Sequence, residues 1–106
     1  MPSYQILWHP RIKDDLQRLP ADIRESIVRS ADHKLSHAPW HLGRALQGTK
    51  KLLFRARHGD YRIVYTINEK EKEIWILCVQ HRKFVYRESN IRRLSEIAKT
   101  LRHGRA

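Results

Sequence analysis

The chain has 106 residues, of which 41% are hydrophobic, and it carries 22 Lys and Arg against 11 Asp and Glu, a formal net charge of +11. This length and composition exclude a disordered chain and suit a single domain, residues 1–106, with its own core. The only cysteine, Cys78, excludes an internal disulfide and indicates a reducing cytoplasm. No apolar run suggests a signal peptide or a membrane partner. The positive charge indicates a polyanionic partner, either nucleic acid or an acidic protein.

The first third of the chain predicts one strand and two helices. Residues 4–8 are a short β-branched and aromatic run, typical of a strand, that ends before Pro10. Pro20 separates two amphipathic helices, and Pro39 ends the second. Their apolar residues recur at helical spacing: Ile12, Leu16 and Leu19 in the first helix, and Ile23, Ile27, Ala31 and Leu35 in the second. We expect a helical hairpin packed on a sheet.

Three histidines, His33, His37 and His41, lie four residues apart near the end of the second helix. Helical histidines at this spacing can chelate a metal ion. Pro39 breaks the helix before His41, however, and no thiolate or carboxylate is suitably placed to complete the ligand shell. We therefore interpret them as polar residues that add cationic character, and we expect neither a metal nor another cofactor.

Residues 52–65, LLFRARHGDYRIVY, predict a β-hairpin that turns at His58-Gly59-Asp60. Side chains alternate between the faces of a strand, and an even-numbered loop pairs Arg57 with Arg62. Arg55, Arg57 and Arg62 then share one face of the sheet. Like charges directly across a sheet repel, so this clustering indicates an anionic ligand.

The last third predicts a central strand and a final helix. Residues 74–79 are almost continuously apolar, as expected of a strand covered on both faces. Residues 83–87 read as irregular, and Ser89 or Asn90 is a candidate cap for the last helix. The predicted fold class is α+β, in the order β-α-α-β-β-β-α, with a small antiparallel sheet, two N-terminal helices packed on one face and a C-terminal helix. Alternation from Cys78 and Gln80 would add Arg82 to the arginines on the open face.

Two segments carry a family resemblance. GDYRIVY at residues 59–65, followed by a strand that ends in HRKFVY at residues 81–86, resembles the RelE branch of the RelE/ParE toxin superfamily. The resemblance covers nearly the whole chain and implies a RelE-like fold. It also implies the toxin of a type II toxin–antitoxin system, an endoribonuclease (mRNA interferase). Such toxins cleave mRNA on the ribosome by metal-independent attack of a 2′-hydroxyl, which inhibits translation.

The resemblance implies a catalytic site of basic residues and one tyrosine. Arg62 resembles the arginine that stabilises the transition state, and Arg82 resembles the proposed general acid. Tyr86 resembles the tyrosine that positions the nucleotide, while Arg55 falls where some members have a catalytic lysine. Leu53 stands where a second lysine occurs in some members, so part of the usual cationic pair is missing.

The proton acceptor stays open, because arginine keeps its proton at neutral pH. Histidine titrates near neutrality, which makes His81 and His58 the candidates. Regular alternation turns His81 away from Arg82, whereas His58 lies in the predicted turn. Further basic residues are expected to bind RNA around the site: Lys50, Lys51, Arg57 and Lys83.

The resemblance also implies partners: a cognate antitoxin, mRNA and the ribosomal A site, with operator DNA bound through the antitoxin of a toxin–antitoxin complex. The apolar stripe of the final helix is the expected antitoxin site, at Ile91, Leu94, Ile97 and Leu101. We expect residues 88–101 to be the least firmly docked element. Two alternatives remain, a ParE-like inhibitor that acts by binding DNA gyrase and a non-catalytic RNA- or ribosome-binding module.

Overall fold

A computed structural model describes residues 3–37 and 43–102. Five strands form one sheet in the spatial order β1-β5-β4-β3-β2, antiparallel except between β1 and β5. The elements in chain order are β1 (Gln5–Trp8), α1 (Ile12–Gln17), α2 (Ala21–Ser30), a π-helical turn (Ala31–Leu35), β2 (Arg44–Ala45), β3 (Phe54–His58), β4 (Tyr61–Asn68), β5 (Glu73–His81), α3 (Arg82–Val85) and α4 (Glu88–Arg102). The predicted α+β class is confirmed, with β2 and α3 as additions. None of the helices described is long and apolar enough to cross a membrane.

One face of the sheet is covered by α1, α2 and the π-helical turn. The helical apolar stripe meets alternate strand residues in a continuous cluster, in which Ile27 and Tyr65 are fully buried. The Tyr65 and Phe54 rings stack with centroids 5.7 Å apart. Burial raises the pKa of Tyr65, so its phenol stays neutral in the core. The predicted helical hairpin on a sheet is confirmed.

The second helix differs from its predicted form at its C-terminal end. Regular α-helix stops at Ser30, and Ala31–Leu35 forms a wider π-helical turn in which Ala31 and Leu35 are still buried. The Tyr4 backbone N–H donates to the Ser36 carbonyl at 2.8 Å, which ties this end to the start of β1. The predicted stop at Pro39 lies outside the described residues.

The histidines of that region give no metal site among the residues described. His33 and His37 are exposed, whereas His41 lies outside the described ranges. Within those ranges, no group of three or more His, Cys, Asp or Glu side chains could hold a metal ion.

The opposite face of the sheet is packed against α4. Leu94 and Ala98 are fully buried there, together with Leu53, Val64 and Cys78. The prediction that this face of the sheet is open is therefore wrong, because α4 covers its apolar part. Burial, with the charge of Asp15 second, raises the pKa of the Cys78 thiol to about 12. Cys78 is thus a small neutral core residue.

The prediction that Ser89 or Asn90 caps the last helix is also wrong. The helix begins at Glu88, so Asn90 lies inside it and is buried. The Asn90 side chain donates to the Val85 carbonyl at 2.8 Å, and Arg93 donates to its amide oxygen at 3.3 Å. Asn90 therefore connects α3 to α4 rather than capping α4.

A β-bulge changes the phase of β5. Val64 lies opposite Cys78 and Tyr65 opposite Ile76, so Leu77 is the extra residue. Leu77 and Cys78 consequently face α4 in succession. If side chains are counted alternately from the start of β5, every residue after Leu77 is therefore assigned to the wrong face of the sheet.

Two side chains in or next to α1 form hydrogen bonds with backbone groups at the edge of β5, beside this bulge. β1 pairs with β5 only as far as Ile76. Arg11 then donates to the Leu77 carbonyl, and buried Asp15 accepts the Val79 N–H at 3.0 Å. Arg11 and Asp15 lie 3.5 Å apart. This pair replaces the hydrogen bonds that a longer β1 would supply.

Candidate functional site

The predicted hairpin and its register are confirmed. Gly59-Asp60 joins β3 to β4, and Gly59 adopts φ 62°, the left-handed conformation that tight hairpin turns require. Arg57 lies directly opposite Arg62, and Arg55 lies opposite Val64. Because Val64 packs under α4, the three arginines lie on the α4 side of the sheet.

A fourth arginine joins them from the edge strand. Arg44 in β2 lies directly across from Arg55. Sequence reasoning missed it, because a strand of two residues is too short to show alternation. We call Arg44, Arg55, Arg57 and Arg62 the arginine face. It contains two directly opposed pairs of like charge, and among the described residues no carboxylate lies within 4 Å of any of the four. Such an arrangement favours a bound anion.

Arg62 is the buried, hydrogen-bonded member of the arginine face. It is only 9% exposed, and its Nη1 donates to the carbonyls of Gly59 and Tyr61, both at 2.9 Å. Its Nε is buried and has no hydrogen-bond partner. Among the side-chain nitrogen and oxygen atoms that the structure describes, it is the only buried one without a partner. A buried donor without a partner costs on the order of 1–3 kcal/mol, but because the atom is closed to solvent, an acceptor on a ligand reaches it only if the Arg62 side chain shifts.

Arg82 reaches the same region by a route that alternation did not predict. β5 ends at His81, whose Nδ1 accepts the Lys83 N–H at 3.1 Å and so caps α3. The backbone turns there, and Arg82 lies beside the hairpin turn instead of extending the strand. The Arg82 N–H donates to the Asp60 carbonyl at 2.8 Å, and its Nε lies 3.7 Å from the Asp60 carboxylate. Since Arg62 contacts the adjacent Gly59 carbonyl, the two arginines converge on one turn.

Tyr86 is exposed immediately after α3. It is 43% exposed and borders a cleft of about 500 Å³ between residues 46–49 and α4. α4 lines this cleft and packs on the side of the sheet that carries the arginine face, so Tyr86 lies on that side. An exposed aromatic ring beside cations is a suitable platform for a nucleobase.

The predicted RNA-binding lysines are all exposed. Lys50 and Lys51 lie in the loop before β3 with φ of 52° and 61°, conformations in which side chains other than glycine are uncommon. The Lys51 carbonyl accepts a hydrogen bond from Arg102 at 2.8 Å, which links this loop to the end of α4. Lys83 lies in α3, in a segment predicted to be irregular.

Neither candidate proton acceptor lies on the arginine face. His58 and His81 both pair with Tyr61, which packs on the α1–α2 side. His58 Nε2 lies 2.9 Å from the Ser26 hydroxyl in α2, and the His81 ring meets the Tyr61 ring edge-on at 5.7 Å. Strand alternation turns both side chains to the other face, so neither lies beside the arginines, and a role as proton acceptor stays a prediction.

The apolar stripe predicted to bind an antitoxin is occupied by the chain itself. Leu94 is fully buried, and Ile91, Ile97 and Leu101 are half-buried against the sheet. A partner can use this stripe only by displacing α4. Binding at these residues stays a prediction.

The family follows from comparison with known proteins. The family model described as "ParE toxin of type II toxin-antitoxin system, parDE" matches residues 6–86. The chain belongs to the RelE/ParE family of type II toxins. The matched region of this RelE/ParE toxin contains the whole arginine face, Arg82 and Tyr86.

Relatives place this RelE/ParE toxin beside the RelE branch, as the sequence resemblance indicated. Toxin RelG of Mycobacterium tuberculosis is 33% identical over 84 residues, covering 79% of this chain and 97% of the relative. Toxin RelE of the same organism is 37% identical over 73 residues, covering 69% and 75%. The crystal structure of the toxin–antitoxin complex RelBE2 from that organism superposes with a TM-score of 0.71 at 32% identity, covering 76% of this chain and 99% of the other.

Proposed function

We propose that this toxin is a ribosome-dependent endoribonuclease that cleaves mRNA through attack of a 2′-hydroxyl on the neighbouring phosphate. The observation that supports this most is the arginine face, with two opposed arginine pairs and an unpartnered Arg62 Nε. A phosphorane carries more negative charge than the phosphate from which it forms. Fixed guanidinium groups therefore stabilise the transition state more than the ground state.

Each residue has a distinct part in the proposed reaction. Arg62 donates to a phosphorane oxygen once its side chain shifts outward, and Arg55 and Arg57 neutralise the flanking charge. Tyr86 stacks on a base and aligns the 2′-hydroxyl with the phosphate. As the bond from the 2′-oxygen to phosphorus forms, the bond to the 5′-oxygen breaks; the 2′-hydroxyl proton passes to solvent, and the leaving 5′-oxygen takes a proton from solvent. Arg82 is placed beside this leaving oxygen, since its exposed ion pair with Asp60 is weak enough for a phosphate to replace.

We propose that the toxin is inhibited by a cognate antitoxin, because its solved relative is a toxin–antitoxin complex. An acidic segment would cover the arginine face through charge-assisted pairs. A helical segment would replace α4 on the sheet, and the complex would bind operator DNA through the antitoxin.

The second candidate is a toxin that binds DNA gyrase and cuts no RNA. The family model that matches the chain favours this candidate, because its description names the ParE toxin. A gyrase inhibitor needs a complementary protein surface, but it does not need a buried arginine with an unsatisfied donor.

One experiment separates these functions. Ribosomes programmed with a defined mRNA are incubated with the toxin and the mRNA ends are mapped, while a supercoiling assay measures gyrase. Arg55→Ala tests the arginine face, and Arg29→Ala, an exposed arginine of α2, is the control of equal charge. The proposal requires ribosome-dependent cuts that Arg55→Ala reduces and Arg29→Ala does not. Loss of supercoiling without RNA cuts would establish the gyrase function instead.

Salt dependence gives an independent check on the RNA target. Binding of the toxin to ribosomes should weaken steeply as salt rises, because phosphate-bound counterions are released on association. A logarithmic plot of affinity against salt that is flat would remove phosphate contacts from the proposal.

A further inference from the structure

A second concave surface lies at the free edge of β5, beyond the point where β1 ends. It is a cleft of about 720 Å³ between α1, the end of β5, α3 and the start of α4. None of its lining residues belongs to the arginine face. This volume is in the range of sites that hold a nucleotide-sized ligand, roughly 300–1,000 Å³.

The accessible charge of this cleft is positive. Arg18, Arg87 and Arg93 line it and are exposed, and none has a carboxylate within 4 Å in the part of the chain that the structure describes. Its one lining carboxylate, Asp15, is buried and bound to the Val79 N–H, with the Arg11 guanidinium 3.5 Å away. The cleft therefore favours a ligand that carries negative charge.

An aromatic wall faces these arginines. Phe84 is 48% exposed, although a phenylalanine normally buries its ring. The Arg87 guanidinium lies 4.8 Å from the Phe84 ring centroid, and His81 packs beside it at 6.2 Å, with Tyr61 next in line. Arginine over an exposed ring beside further aromatic rings is a combination that binds unstacked nucleobases.

We propose that this cleft binds one unpaired RNA nucleotide, with its base stacked on Phe84 and its phosphate held by Arg87 and Arg93. The choice of RNA rests on the function proposed above, and the cleft gives that function a second contact point. Phe84 and Tyr86 are two residues apart and border different clefts, so a single strand crossing α3 would place nearby nucleotides on each ring. An acidic peptide would use the arginines but would gain little from the exposed ring.

Binding is measured with a fluorescent 2′-O-methyl oligoadenylate, which cannot be cleaved because it lacks the attacking hydroxyl. The full chain carries Arg44→Ala and Arg55→Ala, which halves the charge of the arginine face equally in every variant compared. In this background we compare Phe84→Ala and Arg87→Ala with the control Arg29→Ala. Loss of one stacked base should weaken binding at least about fivefold for Phe84→Ala, whereas Arg29→Ala leaves it unchanged.

The oligonucleotide itself provides the second comparison. An abasic strand with the same number of phosphates should bind at least about fivefold more weakly, and Phe84→Ala should leave binding of duplex RNA unchanged, because its bases stay stacked within the helix. Equal binding of the abasic strand, or wild-type affinity in Phe84→Ala with an unchanged melting temperature, would overturn the proposal. Binding of an acidic peptide in the cleft without any single-stranded RNA would overturn it as well.

Crosslinking identifies the source of the nucleotide. A photoreactive group is placed in mRNA, or else in ribosomal RNA, of programmed ribosomes, and the crosslinked residue is identified within the peptide that contains both Phe84 and Tyr86. A crosslink from either RNA supports the cleft and names the source, whereas crosslinks only to Tyr86 count against it. Because the oligonucleotide test uses no cleavage, loss of RNA cutting with intact binding would contradict the endoribonuclease proposal and leave the cleft standing.

Discussion

The two faces of the sheet differ in what covers them. On the α1–α2 side, alternate strand residues such as Phe54 and Tyr65 are buried under two helices and the π-helical turn. On the other side, α4 covers the strands with one apolar stripe anchored at Leu94, and beyond that stripe the arginine face is left without counterions among the residues described. The first face maintains the fold, and the second is divided between packing and a charged surface.

This division has an energetic consequence. The α1–α2 face is formed by three helical segments, so local loss of one contact leaves the others in place. α4 is held by a single stripe and by hydrogen bonds near its two ends, from Asn90 to the Val85 carbonyl, from Asn68 to the Leu101 carbonyl and from Arg102 to the Lys51 carbonyl. Partial opening of the molecule should therefore expose the α4 side first.

Truncation of one buried side chain on each face gives the largest expected effects. Ile27→Ala and Leu94→Ala should each cost about 2–5 kcal/mol, because both side chains are fully buried. If α4 opens by itself, Leu94→Ala should speed alkylation of Cys78 by roughly 30-fold per 2 kcal/mol, and Ile27→Ala should change it little. Amide exchange should be fastest in residues 88–101. Equal acceleration of Cys78 alkylation by both variants would mean that the two faces open together.

Removal of Arg62 tests the charged part of the second face. Arg62→Ala should lose roughly 2–4 kcal/mol of transition-state stabilisation, by analogy with loss of one preorganised oxyanion donor. Ribosome-dependent cleavage is the measurement, with Arg29→Ala as the control. Arg62 also donates hydrogen bonds to two backbone carbonyls, so a small decrease in melting temperature is expected as well. A folded Arg62→Ala toxin that cleaves at the normal rate would exclude Arg62 from catalysis.

Local rules predicted the hairpin and failed where the chain departs from regular geometry. The register of Arg57 and Arg62 was predictable, because a two-residue turn and a period of two determine it. The position of Arg82 was not, because the strand ends at His81 and a short helix follows. Its contact with Asp60 depends on a turn distant in sequence, which no periodicity reports.

The rest of the candidate site could not be predicted from the sequence, because it depends on pairing between residues far apart in the chain. Arg44 joins Arg55 through a strand of two residues, and Arg11 and Asp15 satisfy a bulge that lies more than sixty residues away in the chain. These contacts need the tertiary fold. Alternation did correctly turn His81 from the arginines, and the same rule applied to His58 would have placed it on that other face as well.

Close packing beside the edge strand links the two faces. A Cβ atom added at Gly43 would lie 1.9 Å from the Tyr65 hydroxyl oxygen and 2.8 Å from the Arg55 carbonyl. Gly43→Ala should therefore cost about 1–3 kcal/mol through overpacking, measured by chemical denaturation. It should also weaken binding to ribosomes, because Arg44 is the next residue and would move. The matched control is Gly48→Ala in the same region, where nothing lies within 4 Å of an added Cβ and only backbone strain is expected. Equal stability of wild type and Gly43→Ala would show that the edge strand yields freely.

The smallest effect expected is an alkaline loss of stability through Cys78. Burial raises the pKa of this thiol from 9.0 to about 12, so above pH 9 the unfolded chain loses a proton that the folded chain keeps. Stability due to this group is therefore complete below pH 9 and falls as pH rises towards 12, by about 1.4 kcal/mol between pH 8 and pH 10. Denaturation of wild type and Cys78→Ala over this range measures the difference in slope. Wild type should lose stability faster, and parallel curves would mean that the thiol ionises as readily in the folded chain, with α4 giving it no effective cover.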